Sequence, residues 1–186
     1  MKIERIHIPD VLVMTPEIHT DERGSLEETY RMDCLEKHGH WRPFVQQNES
    51  RSEYGVLRGL HYQLLQPQAK LVRVSTGRIR DVVVDVRPES PAYGRYAVIE
   101  LNDENRRSLL VPRGCAHGFL VLSHLAVVSY LCDDFYSGLD DQHGIRWDDP
   151  TLDIPWHIPD PIVSAKDRSL PRFRDIPETE LPTPGQ

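Results

Sequence analysis

The sequence predicts an all-β domain, an antiparallel sandwich or barrel carrying a few short helices. Three observations point there: short apolar runs with period-two alternation, turn signals between them at regular intervals, and very little helical periodicity. Fifteen prolines and eleven glycines in 186 residues supply the punctuation.

Along the chain, "SLEETYRMDCLEKHG" mixes Leu26, Tyr30 and Met32 with charges and stops at Gly39. It predicts one short helix from about Met32 to Lys37. "KLVRVSTGRIRDVVVDVR" predicts a strand, a turn at Gly77 and a second strand. In that second strand Val82, Val84 and Val86 share one face, whereas Asp81, Asp85 and Arg87 take the other. "YAVIEL", "RSLLVP", "HGFLVLS" and "AVVSYL" continue the rhythm. "IPETELPTPGQ" is polar and proline-rich and predicts a loose tail. One domain over residues 1–175 is expected, with the tail at 176–186; no internal repeat or linker is visible.

A net charge of -7 excludes a general nucleic-acid or membrane-surface binder but leaves room for a local basic pocket. The opening "MKIERIHIPDVLVM" lacks the apolar run and cleavage site of a signal peptide. The most apolar segment, "FLVLSHLAVVSYL", is too short to span a bilayer. Cys34, Cys115 and Cys132 are odd in number and show no CxxC spacing, so free thiols in a reducing cytoplasm are expected.

Two segments carry the chemistry. In "VPRGCAHGF", Pro112, Gly114 and His117 form a PxGxxH pattern, in which proline and glycine tighten a turn before a strand that points His117 inward. The pattern resembles the second motif of the cupin barrels. The first cupin motif normally supplies an HxH pair to a metal, but here it reads His61-Tyr62-Gln63. With two of the expected histidines a divalent metal lacks the usual three protein ligands, so no metal and no cofactor are expected, and His61 is free to act as a base. A true HxH occurs at His38 and His40, without a third ligand nearby in sequence, and "DDQHGIRWDDP" lacks the spacing of a calcium loop.

"QQNESRSEYGVLRGLHYQ" closely resembles the dTDP-4-dehydrorhamnose 3,5-epimerase family, metal-independent cupins of deoxysugar biosynthesis. So do "DERGSLEETYR", "KLVRVSTGRIRDVVVDVRPESPAYG", "VPRGCAHGFLVLS", "SYLCDDFY", "IRWDDPTLDIPW" and "SAKD", in family order from about residue 5 to 170. The departures are His19 and Leu26, where the family often has phenylalanine.

The resemblance implies a cupin-type jelly roll acting on a dTDP-4-keto-6-deoxyhexose in dTDP-rhamnose and cell-wall polysaccharide biosynthesis. It also implies a homodimer whose N-terminal residues add a strand to the partner's sheet. Inverting a carbon beside a ketone needs a base, a group that stabilises the enolate oxygen, and an acid across the ring. His61 is the expected base, and imidazole titrates near neutrality. The resemblance casts Asp167 as its orienting partner, Lys70 as the charge at the enolate oxygen and Tyr130 as the acid. The diphosphate calls for arginine, and Arg23 and Arg58 are the candidates by resemblance. Glu28, Gln46, Gln47, Asn48 and His117 are expected polar contacts to thymidine or sugar hydroxyls, and Tyr136, a further expected substrate contact, is expected beside Tyr130 on one strand face. Strict alternation would put Arg58 and His61 on opposite faces unless Gly59 supports a bulge. Three rivals remain open: an epimerase of C3 or C5 alone, a metal-dependent cupin enzyme, and a sugar-binding barrel without turnover.

Overall fold

The computed structural model describes residues 1–183. Its core is a pair of facing, mainly antiparallel sheets forming the expected jelly roll. Strands β1 (Lys2–Arg5), β2 (Leu12–Thr15), β5 (Gln46–Glu53), β7 (Lys70–Thr76), β10 (Ser108–Val111) and β12 (Leu125–Cys132) make the first sheet, in the order β1-β2-β10-β7-β12-β5. Strands β6 (Val56–Gln63), β8 (Arg78–Asp85), β9 (Tyr96–Asn102), β11 (Cys115–Val121) and β13 (Gln142–Gly144) make the second, in the order β13-β6-β11-β8-β9. The short β14 (Ile162–Val163) joins β6 in parallel. A separate hairpin, β3 (Ile18–Asp21) with β4 (Gly24–Glu27), pairs only with itself. Glu27 fastens it to the barrel through Arg73 and Arg106.

Because the sheets face each other, the central strands are buried on both sides. Val72, Val74 and Val128 of one sheet meet Ile79, Val83 and Val121 of the other inside the barrel. Outside the second sheet, Leu57, Leu60, Val82 and Val84 lie beneath Trp156, Phe173, Ile176 and Leu181. Outside the first, Leu12, Met14, Leu71 and Leu110 lie beneath Leu35 of helix α1 (Met32–Glu36), close to the expected helix. A five-residue helix is not stable alone, and full burial of Leu35, worth about 1.5–3 kcal/mol, pins it down.

The turn at Gly77 does more than join two strands. It carries the chain from the first sheet to the second, because β7 and β8 pair with different neighbours. A Cβ at Gly77 would lie 2.0 Å from the Leu125 carbonyl oxygen, and φ is +81°, so only glycine fits. The alternation expected for β8 is present, but its polar side points into the barrel: Asp81 and Asp85 are fully buried. The loose tail is also revised. Ile176 and Leu181 are buried, and the Tyr62 hydroxyl donates to the Glu180 carbonyl at 2.8 Å, so residues 176–183 pack on the barrel. Residues 184–186 of the expected tail lie outside the described residues. Among the described residues no helix is long and apolar enough to cross a membrane.

Candidate active site

The site begins with an irregularity in β6. His61 stands opposite His117 and Arg58 opposite Phe119, so three steps along β6 match two along β11. This bulge brings Arg58 and His61 to the same cavity. It sits at Gly59, where φ is +115° and a Cβ would lie 2.6 Å from the Gly118 Cα. The Gly59 N–H then donates to Asp167 Oδ2 at 3.1 Å. One glycine thus sets both the direction of His61 and half of the solvation of its partner.

Asp167 lies in α2 (Ala165–Arg168), where its own N–H donates to the Ser164 hydroxyl at 3.0 Å. His61 Nε2 is 2.7 Å from Asp167 Oδ1. Burial alone would raise the Asp167 carboxyl. The hydrogen bond and charge of His61, with the Gly59 N–H and Ser164, outweigh it and hold the group below its ordinary value. An ionised Asp167 accepts from Nε2–H, which leaves Nδ1 of neutral His61 with its lone pair free.

Across the barrel, Tyr130 of β12 and Lys70 of β7 line the same cavity of about 620 Å³. Lys70 has no carboxylate partner among the described residues, and burial pushes its ammonium below the ordinary value, with Cys132 opposing. Burial likewise pushes the Tyr130 phenol up, against the pull of Asn48 and Arg58. A base, an unpaired cation and a protonated phenol therefore face one volume, with His61 on one sheet and Lys70 and Tyr130 on the other.

The other expected residues divide. Arg58 lines the cavity, held by its Nε and Nη2 donating to the Ser52 hydroxyl, each at 3.1 Å. His117 lines it too. Asn48 is the cross-strand partner of Tyr130, and Gln46 Nε2 donates to Asn48 Oδ1 at 3.1 Å. Gln47 is exposed and alternates to the outer face of β5. Arg23 and Glu28 are exposed on and just after the β3–β4 hairpin, and neither lines the cavity of its own chain. Tyr136 is not on the Tyr130 strand. β12 ends at Cys132, because Asp133 turns away to accept from the Ala69 N–H and Arg113. Tyr136 returns through a loop, its N–H donating to Gln46 Oε1 at 3.0 Å.

Sequence reasoning passed over Asp81, whose two carboxylate oxygens are each 2.9 Å from His117 Nε2. Burial pushes its carboxyl up, with His117 pulling the other way. The signal was present: a carboxylate inside a valine run with no turn beside it. It also passed over Lys166 and Gln142 on the cavity wall, where Lys166 Nζ donates to Gln142 Oε1 at 3.0 Å.

The residues of the metal-like motifs have other work. Gln63 is buried and donates to Gln68 Oε1 at 3.0 Å. His38 bonds the Cys34 carbonyl, and His40 stacks on Phe44. Asp141 of the acidic loop accepts the N–H groups of Leu64, Leu65 and Gln66. Among the described residues no three His, Cys, Asp or Glu side chains gather in a metal-holding group.

Comparison with known proteins converges on the same reading. A family profile described as dTDP-4-dehydrorhamnose 3,5-epimerase matches residues 5–175. The enzyme of that name from Methanothermobacter thermautotrophicus is 46% identical over 169 residues, covering 89% of this chain and 91% of that one. The one from Pseudomonas aeruginosa is 45% identical, covering 94% and 97%. Among solved structures, the dTDP-6-deoxy-D-glucose-3,5-epimerase of Legionella pneumophila, in complex with dTDP-4-keto-L-rhamnose, superposes with a TM-score of 0.93 at 39% identity, covering 98% and 97%. With a profile match over nearly the whole chain and relatives this similar at both ends, the chain belongs to the dTDP-4-dehydrorhamnose 3,5-epimerase family.

Proposed function

We propose that this chain inverts C3 and C5 of dTDP-4-dehydro-6-deoxy-D-glucose to give dTDP-4-dehydro-L-rhamnose. The observation that carries the reading is the placement of a carboxylate-backed histidine and a half-buried tyrosine on opposite sheets around one cavity. His61 Nδ1 takes the proton from the carbon beside the ketone, and the C–H electrons move onto the C4 oxygen. Asp167 stabilises the imidazolium, and the Lys70 ammonium stabilises the enolate. Tyr130 returns a proton to the opposite face of the carbon. His61 has then gained one proton and Tyr130 has lost one; exchange with water restores both before the second carbon reacts. Arg58, beside the base, and Lys166, at the rim, supply positive charge for the diphosphate.

The reading extends to a homodimer in the cytoplasm, feeding rhamnose to polysaccharide synthesis. Free thiols at Cys34, Cys115 and Cys132 suit a reducing compartment. β5 is an open edge of the first sheet, and the N-terminal hairpin pairs only with itself, so it is the segment free to add to a partner. That exchange would give Arg23 and Glu28, which miss their own cavity, a cavity to serve. A monomeric mass at micromolar concentration would remove the dimer.

Incubation with dTDP-4-keto-6-deoxyglucose in deuterated water tests the chemistry. Deuterium and inversion are expected at both C3 and C5. Inversion at only one carbon would replace the reading with a single-position epimerase, and binding without exchange would replace it with a sugar-binding barrel.

A further inference from the structure

Gln46 and Asn48 are expected substrate contacts, but neither is among the described residues that line the cavity. They stand on the half-buried row of β5, Gln46 opposite Cys132 of β12 and Asn48 opposite Tyr130. A chain of hydrogen bonds fixes how both amides are turned. The Tyr136 backbone N–H can only donate, and it meets Gln46 Oε1 at 3.0 Å. Gln46 therefore presents its Nε2 to Asn48 Oδ1, at 3.1 Å. With Oδ1 engaged, Asn48 directs its Nδ2 hydrogens towards β12, one of them to Cys132 Sγ at 3.9 Å. The Asn48 side chain also hydrogen-bonds the Tyr130 hydroxyl, and the amide's second hydrogen is the one free to do so.

The direction of that bond matters to an acid, granting the epimerase reading on which this step rests. Tyr130 gives its O–H proton to the carbon, where the electron pair of the enolate forms the new C–H bond. The O–H pair stays on the phenol oxygen as a tyrosinate until water returns a proton. In a half-buried position that anion is costly without a donor beside it. Burial pushes the phenol up, and the Asn48 bond and the Arg58 charge pull it back.

We propose that Asn48 is a positioning residue for the acid: its Nδ2–H donates to the Tyr130 oxygen and stabilises the tyrosinate left after each proton transfer. Gln46, turned by the Tyr136 N–H, keeps the donor side of Asn48 towards Tyr130. The loop after β12 thereby sets the strength of an acid six residues before it.

The test reads Tyr130 directly. The chain has seven tyrosines, so the Tyr130 titration is taken as the ultraviolet difference between each protein and the same protein carrying Tyr130→Phe. A hydrogen bond to a charged group corresponds to roughly 10- to 100-fold, so Asn48→Leu should move that titration up by about one to two pH units. Gln46→Leu leaves Asn48 in place but frees its amide to turn, and should move it up by less. In Asn48→Leu, inversion at C3 and C5 should fall by the same factor in kcat, while exchange with deuterated water persists. In the Tyr130→Phe background the Asn48 substitution should change neither. An unmoved titration, a loss confined to KM, or an equal loss with and without Tyr130 would each overturn the proposal. If Asn48→Leu fails to fold, an unmoved titration in Gln46→Leu overturns it. A wild type that never inverts the parent sugar, with the titration shift intact, would instead overturn the epimerase reading beneath it.

Discussion

His61–Asp167 and His117–Asp81 place the same two residue types at nearly the same distance in the same cavity, 2.7 Å in one pair and 2.9 Å in the other. What differs is how each carboxylate is solvated. Asp167 also receives the Gly59 N–H and is supported by Ser164, and the balance leaves it below its ordinary value. Among the described residues Asp81 has His117 alone, and burial leaves it above. A carboxylate that stays firmly ionised can stabilise the imidazolium a base becomes; one strained by burial gains most by keeping its histidine fixed. The surroundings, more than the pair itself, separate the proposed base from its neighbour in the same cavity.

The comparison breaks most visibly at the imidazoles. His61→Ala is expected to abolish turnover together with C3 and C5 proton exchange, read by proton NMR in deuterated water, since no enolate forms. Retained exchange in that variant would move the base elsewhere, His117 being the first alternative.

Tyr130→Phe keeps the base and Lys70, so the enolate forms and recaptures its proton on the original face. Product formation should fall about 10²- to 10⁴-fold, while exchange outruns inversion. An equal fall in both would remove Tyr130 from the acid role.

Asp167→Asn should lower exchange and inversion together by roughly 10- to 100-fold, because the imidazolium loses its charge partner.

The pH profile sharpens the assignment on the opposite wall. Burial shifts Lys70 down and Tyr130 up, so loss of the Lys70 proton moves to lower pH and loss of the Tyr130 proton to higher pH. The alkaline limb of kcat should therefore fall below the ordinary lysine value of about 10.4. Lys70→Arg should move that limb upward, and Tyr130→Phe should leave it in place.

The smallest expected effect is on stability, and its sign differs between the two aspartates. Asp167 has a lowered folded value, so its stabilisation is present above the unfolded value and lost as pH falls through the folded one. Asp81 has a raised folded value, so its favourable contribution is present at low pH and lost as pH rises through the folded one. Between acid and neutral pH, Asp167→Asn should become more destabilising relative to wild type and Asp81→Asn less so, each by a few degrees in Tm. Parallel shifts in the two melting series would show that the carboxylates are equivalent after all.

Much of this molecule was legible in the order of its residues. Short alternating strands are a local property, so the all-β class, the helix near Met32 and the turn at Gly77 could be read from neighbours. RGLHYQ, the later PxGxxH and SAKD marked His61, His117 and Asp167, because motif residues are tied to their chain positions. The Gly59 bulge was also anticipated, since two side chains needed one face. Other features depended on pairings between distant segments. Asp81 could be placed on the face of β8 opposite the valines and no further, because alternation tells two faces apart without saying which one meets a second sheet. Tyr136 shared a spacing with Tyr130 but not a strand, because Asp133 finds its partners 64 residues back at Ala69 and 20 back at Arg113. Ile176 and Leu181 read as tail until the outer face of the second sheet proved to need a cover. Local pattern determines which residues form strands, and only the closure of the two sheets decides which polar side chains are sealed inside, because desolvation depends on everything packed around a group rather than on its neighbours in sequence.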